Sequence, residues 1–222
     1  MPKAAVTRPP KGSPARDKLG ALPEWDLSDL YPATDSAEIE TDIATSRVQA
    51  KKFETRHAGK LAGLTGDKLA AAIADYEDID EILSRIMSYA SLLYAGDMID
   101  PENGRFYQSM QETVTEISSH LLFFALELNR VPDRELEAKT KASTKLQRYA
   151  PWLRDTRAFR PFQLDDALEK LLHEKRVTGR SSWNRLFDET MAELTFEVDL
   201  PKGVQTMSSA EVLNLLSDRD GD

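Results

Sequence analysis

The sequence predicts a mainly all-α fold: an antiparallel helical bundle with long helices, plus one small β-hairpin near the C-terminal end. Three observations carry the prediction. From Ile39 to Leu172 apolar residues recur at intervals of three and four, the period of helices with one buried face. Two of these stripes are long and joined by a short link, which sets them side by side and antiparallel. At Leu194 the period drops to two, with Leu194, Phe196 and Val198 alternating with Thr195 and Glu197 as in a strand.

In chain order, residues 1–20 carry Lys3, Arg8, Lys11, Arg16 and Lys18 against Asp17, with Pro2, Pro9, Pro10 and Pro14 breaking any helix. They read as a disordered basic tail. The stretch LPEWDLSDLYP, Leu22 to Pro32, follows as an apolar anchor, with Leu22, Trp25, Leu27, Leu30 and Tyr31 expected to dock on the bundle. Asp35 and Glu38 have capping-box spacing, and Ile39, Ile43, Ala50 and Phe53 form the stripe of a first helix ending near Gly59. A second helix begins around Asp67, runs about 30 residues through Leu93 and spans ~45 Å. Asp100 caps a third with Pro101 at its first position, and its stripe from Phe106 through Ile117, Leu121 and Phe124 to Leu128 predicts one continuous helix.

Shorter helices follow near Pro132 to Lys141 and Ser143 to Thr156, with Pro151 kinking or splitting the latter. Another runs from Leu164 through Leu172, breaks at Gly179 and restarts at Trp183. The hairpin is placed at about 193–207, with Pro201, Lys202 and Gly203 as its turn. Ser208 and Glu211 form a second capping box for a helix within 208–222 whose apolar face, begun by Val212, Leu213, Leu215 and Leu216, has been given no partner.

A hydrophobic content of 41% in 222 residues suffices for a real core. Lys and Arg total 29 against 38 Asp and Glu, and the net charge of -9 speaks against nucleic acid or an anionic membrane surface as partner. The absence of cysteine excludes disulfides, thiolate metal sites and a cysteine nucleophile. No apolar run approaches the ~20 residues that span a bilayer, and the N-terminus lacks the apolar core of a secretory signal. The chain is expected to be cytoplasmic.

No catalytic, cofactor-binding or metal-binding residue is assigned. His173 and Glu174 begin H-E-x-x-H, but its fifth position is Val177. Glu54 and His57 supply one Glu-x-x-His of a di-metal carboxylate bundle; Ile117 precedes His120 and Lys170 precedes His173 at that spacing, so no second copy exists. His57 is expected at the surface near a helix end, where a cation is favoured. Asp75, Glu77, Asp78, Asp80 and Glu81 spread around their helix as a solvated face. Asp218, Asp220, Gly221 and Asp222 have the residue types of a calcium loop without its spacing. No serine sits in a Gly-x-Ser-x-Gly turn, and there is no Gly-rich phosphate loop.

The anchor, together with Phe159 to Val198 (FRPFQLDDALEKLLHEKRVTGRSSWNRLFDETMAELTFEV), resembles oligoendopeptidase F, of the thimet-type zinc metallopeptidases. Glu174, Lys175, Thr178, Gly179, Arg180, Trp183, Leu186 and Phe187, followed by LTFEV, carry most of the resemblance, and the ending SSAEVLNLLSDRDGD extends it. It covers nearly all of Leu22 to Asp222.

The resemblance implies a mostly helical, bowl-shaped peptidase, with residues 21–222 as the N-terminal helical region that walls one side of its cleft. Zinc, two His ligands, a Glu ligand and a Glu base would activate water against an internal bond of a short, unstructured peptide. All of these lie beyond the last residue here, so this segment is expected to bind no zinc and to be inactive alone. The partners implied are short unstructured peptides, as substrate of the parent, and the remaining catalytic part of the same chain. The unpartnered last helix and the lack of any complete site lead to the expectation of a fragment or an early-terminated product. The alternative is a stand-alone helical interaction module presenting a groove to a partner helix.

Overall fold

In the computed structural model residues 25–201 and 203–217 are described. The basic tail at 1–20, Leu22 and Pro23 of the anchor, Lys202 of the turn and the acidic positions at 218–222 lie outside them. Helix α1 spans Ala37–His57. Its cap is Ser36, one residue after the expected Asp35, because Ser36 takes an extended conformation and its hydroxyl accepts from the Ile39 amide at 3.5 Å. The chain leaves the helix through Gly59 at φ +75°, which favours a residue without Cβ. Helix α2, Gly66–Gly96, is capped by the Thr65 hydroxyl and starts one residue before the expected Asp67. Helix α3, Pro101–Ser119, lies along α2, with the Asp100 carboxylate accepting from the Glu102 amide at 2.9 Å.

The expected continuous third helix is two. Helix α3 stops at Ser119 and α4 resumes over Leu122–Arg130. Ser118 and Ser119 hydroxyls donate to the carbonyls of Thr115 (3.3 Å) and Glu116 (2.7 Å), competing for the acceptors of the last turn. The amides of His120 and Leu121 reach back only three residues, to Ile117 and Ser118, which tightens and ends the helix. Ile117, Leu121, Phe124 and Leu128 are nevertheless all buried, so the apolar period runs unbroken across the bend.

Helices α5 (Asp133–Ala142), α6 (Thr144–Gln147) and α7 (Ala150–Ala158) follow. Pro151 sits in the first turn of α7 and splits the Ser143 to Thr156 segment as its fixed φ and missing N–H predict. Helix α8 is Asp166–Arg176, capped by Asp165. A wide turn at Val177–Ser181 then breaks the helical path at Gly179 (φ -104°, ψ -108°), and α9 runs Ser182–Glu193. Strands β1 (Thr195–Leu200) and β2 (Gly203–Ser208) pair antiparallel, Phe196 opposite Met207 and Leu200 opposite Gly203, with Gly203 at φ +103°. The Ser208–Glu211 capping box opens α10, Ser209–Leu215.

The core has two centres. Phe124 is fully buried among Phe53 (ring centroids 5.1 Å apart, edge-on), Tyr76 (5.1 Å, stacked) and Trp152 (6.2 Å), which ties α1, α2, α4 and α7 together. The second centre joins Ile39, Ile86, Tyr89 and Met110 to Tyr31 of the anchor. Tyr31 donates to Asp42 at 2.6 Å, Arg85 pairs with Asp42 at 2.9 Å, and the Arg85 guanidinium lies 5.6 Å from the Tyr31 ring centre. The anchor therefore docks through Tyr31, with Leu27 and Leu30 partly buried. Trp25 departs from the expected docking: it is 79% exposed, while Tyr31, Leu27 and Leu30 supply the anchor's packing on that centre. No described residue after Leu153 is buried.

Candidate functional site

The Glu54-x-x-His57 pair is divided between two environments. Glu54 turns to His120, whose Nδ1 lies 2.6 Å from Oε2; a carboxylate only accepts, so Nδ1–H donates. His57 lies in the last turn of α1 as expected, yet it is buried and not at the surface. The inward stripe that buries Ala50 and Phe53 continues through it, and its ring packs 4.8 Å from Phe53. Its Nε2 has no hydrogen-bond partner, and burial, helped by the Arg56 charge, holds its pKa below the ordinary imidazole range.

His173, on α8, brings its Nε2 to 2.9 Å from Ser118 Oγ and 3.3 Å from the Thr115 carbonyl of α3. A serine–histidine approach at this distance has the outline of a nucleophile and its base. The carbonyl decides otherwise: it can only accept, so Nε2 carries the proton, and Ser118 Oγ itself donates to Thr115 O. A base must present a free lone pair to the hydroxyl. The contact is a tether of α8 to the end of α3, and burial keeps the His173 pKa below its usual range. Nothing in sequence spacing signals it, since the partners are 55 positions apart.

The carboxylates of α2 face outward as expected. Asp75 pairs with Arg56 at 3.0 Å, and Glu77 accepts from the Tyr149 hydroxyl at 3.1 Å. Between α1 and α2 an open groove of 180 Å³ is lined by Lys52, Phe53, Arg56, Asp75, Asp78 and Ile79. That is smaller than the ~300 Å³ at which ligand pockets begin, and its charges are mixed. Among the described residues no group of three His, Asp or Glu could hold a metal ion. The calcium-loop residues from Asp218 onward lie outside the described residues. Zinc does not fit the donors present: Glu54 is engaged by His120, His57 Nε2 is sealed against Phe53, and His173 Nε2 is protonated toward α3. No described helix is long and apolar enough to cross a membrane.

The most distinctive surface is apolar. On α9, Trp183 is 71% exposed and Phe187 64%, and Leu172 on α8 is 56% exposed. Phe159 and Phe162, in the turn before α8, are more exposed than not. Several of these residues belong to the segment that carried the resemblance read from the sequence.

The comparisons bear on that segment directly. A family model described as Oligopeptidase F matches residues 127–196. The fold is similar to the crystal structure of oligoendopeptidase-F from Enterococcus faecium, with a TM-score of 0.72 and 18% identity, over 85% of this chain and 36% of that one. The chain thus spans about a third of the length of that structure. No curated protein matches it.

Proposed function

We propose, on the premise that this chain resembles the N-terminal portion of oligoendopeptidase F, that residues 21–222 form one cleft wall of a zinc metallo-oligoendopeptidase. The single observation that supports the reading is the fold match over most of this chain to part of a longer peptidase, joined to the family match over residues 127–196. In this reading the parent hydrolyses internal bonds of short, unstructured peptides in the cytoplasm. An enclosed cleft would admit such peptides and exclude folded proteins. When bound, zinc would supply the polarised water, held by residues outside these 222. What this chain's residues contribute is shape. The Phe124 core and the Tyr31–Asp42–Arg85 network hold the long α1–α2–α3 layer rigid as a wall.

Internally quenched peptides of graded length test the reading. The purified 222-residue chain is expected to leave them intact with or without added zinc. The longest natural polypeptide that carries this sequence is expected to cut them, and a chelator to stop it. Chelator-sensitive cleavage by the short chain would overturn the assignment of chemistry to residues elsewhere. A second reading, a helical interaction module acting by itself, is favoured by the exposed apolar residues of α8 and α9. It predicts a 222-residue natural product that binds a partner and has no longer form.

A further inference from the structure

We propose that α8 and α9 form a strap whose attachment to the bundle is governed by proton uptake at His173: the neutral imidazole holds α8 on α3, and the imidazolium lets it go. The inference stands apart from the peptidase reading, because every contact it uses lies within this chain. No described residue of α8 or α9 is buried, so no apolar core pins them. Polar contacts carry the attachment: Arg130 to Asp166 at the start of α8, His173 to α3, and Arg185 of α9 to Gln108 at 2.6 Å. The Arg130–Asp166 pair is exposed at both ends and adds little. His173 is partly buried instead, with Nε2–H shared between the Ser118 hydroxyl at 2.9 Å and the Thr115 carbonyl at 3.3 Å. Of these groups it is the one that changes charge between about pH 5 and 8. The strap also has places to bend. Before α8 the Gln163 amide holds the chain to the Leu126 carbonyl at 3.2 Å, and after α8 the helical path breaks at Gly179, where a Cβ would meet nothing within 4 Å.

The surroundings of the ring decide the sign. Burial disfavours the imidazolium and outweighs the Thr115 hydrogen bond, so the pKa of docked His173 lies below its usual range. The charges that act on the ring, Arg176 and Glu174, sit on its own helix and oppose each other. Helix α3 presents a carbonyl and a hydroxyl to it. The α3 carboxylates on adjoining turns are engaged elsewhere, Glu112 by the Gln108 amide at 2.9 Å and Glu116 by Arg47 at 2.7 Å. On α4, Glu127 accepts from the Gly59 amide at 2.5 Å and Arg130 pairs with Asp166, while the turn after α8 brings a further cation, Arg180. These elements thus offer the imidazolium no free carboxylate. His57, whose pKa is also lowered, packs on Phe53 in the core of the bundle. Once α8 is released, His173 titrates at the ordinary ~6.5, above its docked value. The hold of α8 is therefore complete above ~6.5 and is lost as pH falls through the depressed docked value.

Amide hydrogen exchange of the whole protein, read by mass spectrometry at about pH 7.5 and about pH 5.5 and corrected for the intrinsic rate at each pH, tests the proposal. Peptides from α8 are expected to lose protection several-fold at the lower pH, while peptides around Phe124 keep theirs. His173→Gln retains a side-chain amide donor for the Thr115 carbonyl but takes up no proton in this range, so its α8 is expected to be equally protected at both pH values. Unchanged α8 protection in the wild type would overturn the proposal, as would a loss of equal size in His173→Gln or a simultaneous loss around Phe124. If α8 of His173→Gln is unprotected at both pH values because the shorter amide does not reach, the imidazole titration of the wild type, followed by NMR, decides. A His173 midpoint below ~6.5, with α8 amide shifts moving at the same midpoint, supports the strap. A midpoint at or above that value, or α8 shifts that do not follow it, overturns it.

Discussion

Arg157 shows how a single side chain ends two elements. Its guanidinium donates to two carbonyls at the end of α4, that of Leu128 at 2.7 Å, which also accepts from the Val131 amide at 3.2 Å, and that of Val131 at 2.8 Å. It also meets Asp133 at 2.5 Å, but that carboxylate is exposed, so the ion pair itself adds little. Arg157→Ala is expected to lower stability by about 2 kcal/mol, measured by urea unfolding, because two partly buried carbonyls lose a charged donor. His57 and His173 are both held below the ordinary imidazole pKa of ~6.5, so the unfolded chain takes up their protons first as pH falls. Their contribution is complete above ~6.5 and is lost as pH drops through the depressed folded values. His57→Phe should therefore narrow the gap between urea midpoints at about pH 8 and about pH 5; an unchanged gap would refute it. The burial of His57 was not legible in the sequence. Its place in the last turn was clear, but a titratable type at a helix end reads as exposed unless the neighbouring aromatic is known to lie beside it.

At the scale of elements, the start of α2 presses against the end of α5. A Cβ on Gly66 would stand 2.5 Å from the Lys139 carbonyl oxygen and 2.7 Å from Ser143 Cβ, with backbone on one side and no flexible tip to yield. Gly66→Ala is expected to cost about 1–3 kcal/mol as overpacking, read as a lower thermal midpoint with helix content unchanged. Helix existence, the Pro151 split, the Gly179 break and the hairpin with its Ser208–Glu211 cap were all readable, because each depends on local periodicity or a local stop signal. The bend between α3 and α4 was not. Hydroxyls at Ser118 and Ser119 end the helix, while the four core residues around them keep their spacing, so the pattern passes through the break unmarked.

At the scale of the molecule, burial divides the chain at Leu153. Every buried described residue lies between Tyr31 and Leu153, and the helices and hairpin beyond carry large exposed apolar groups. Brief digestion with a broad-specificity protease is expected to cut within 159–217 and leave a resistant product ending near 158, identified by intact mass. Resistance equal across both parts would show that the outer elements are as firmly held as the core. The amino-acid sequence by itself determined the helical class, most element types, the hairpin and the resemblance to oligoendopeptidase F, because these reside in periodicity, capping residues and short motifs. Only the tertiary structure decided that Trp25 stays outside while Tyr31 closes a core, that Glu54 turns to His120, and that Ser118 and His173 form a tether without a base. Those outcomes turn on which long-range neighbour occupies each donor, acceptor or apolar face, and a one-dimensional pattern carries no distance between residues far apart in the chain.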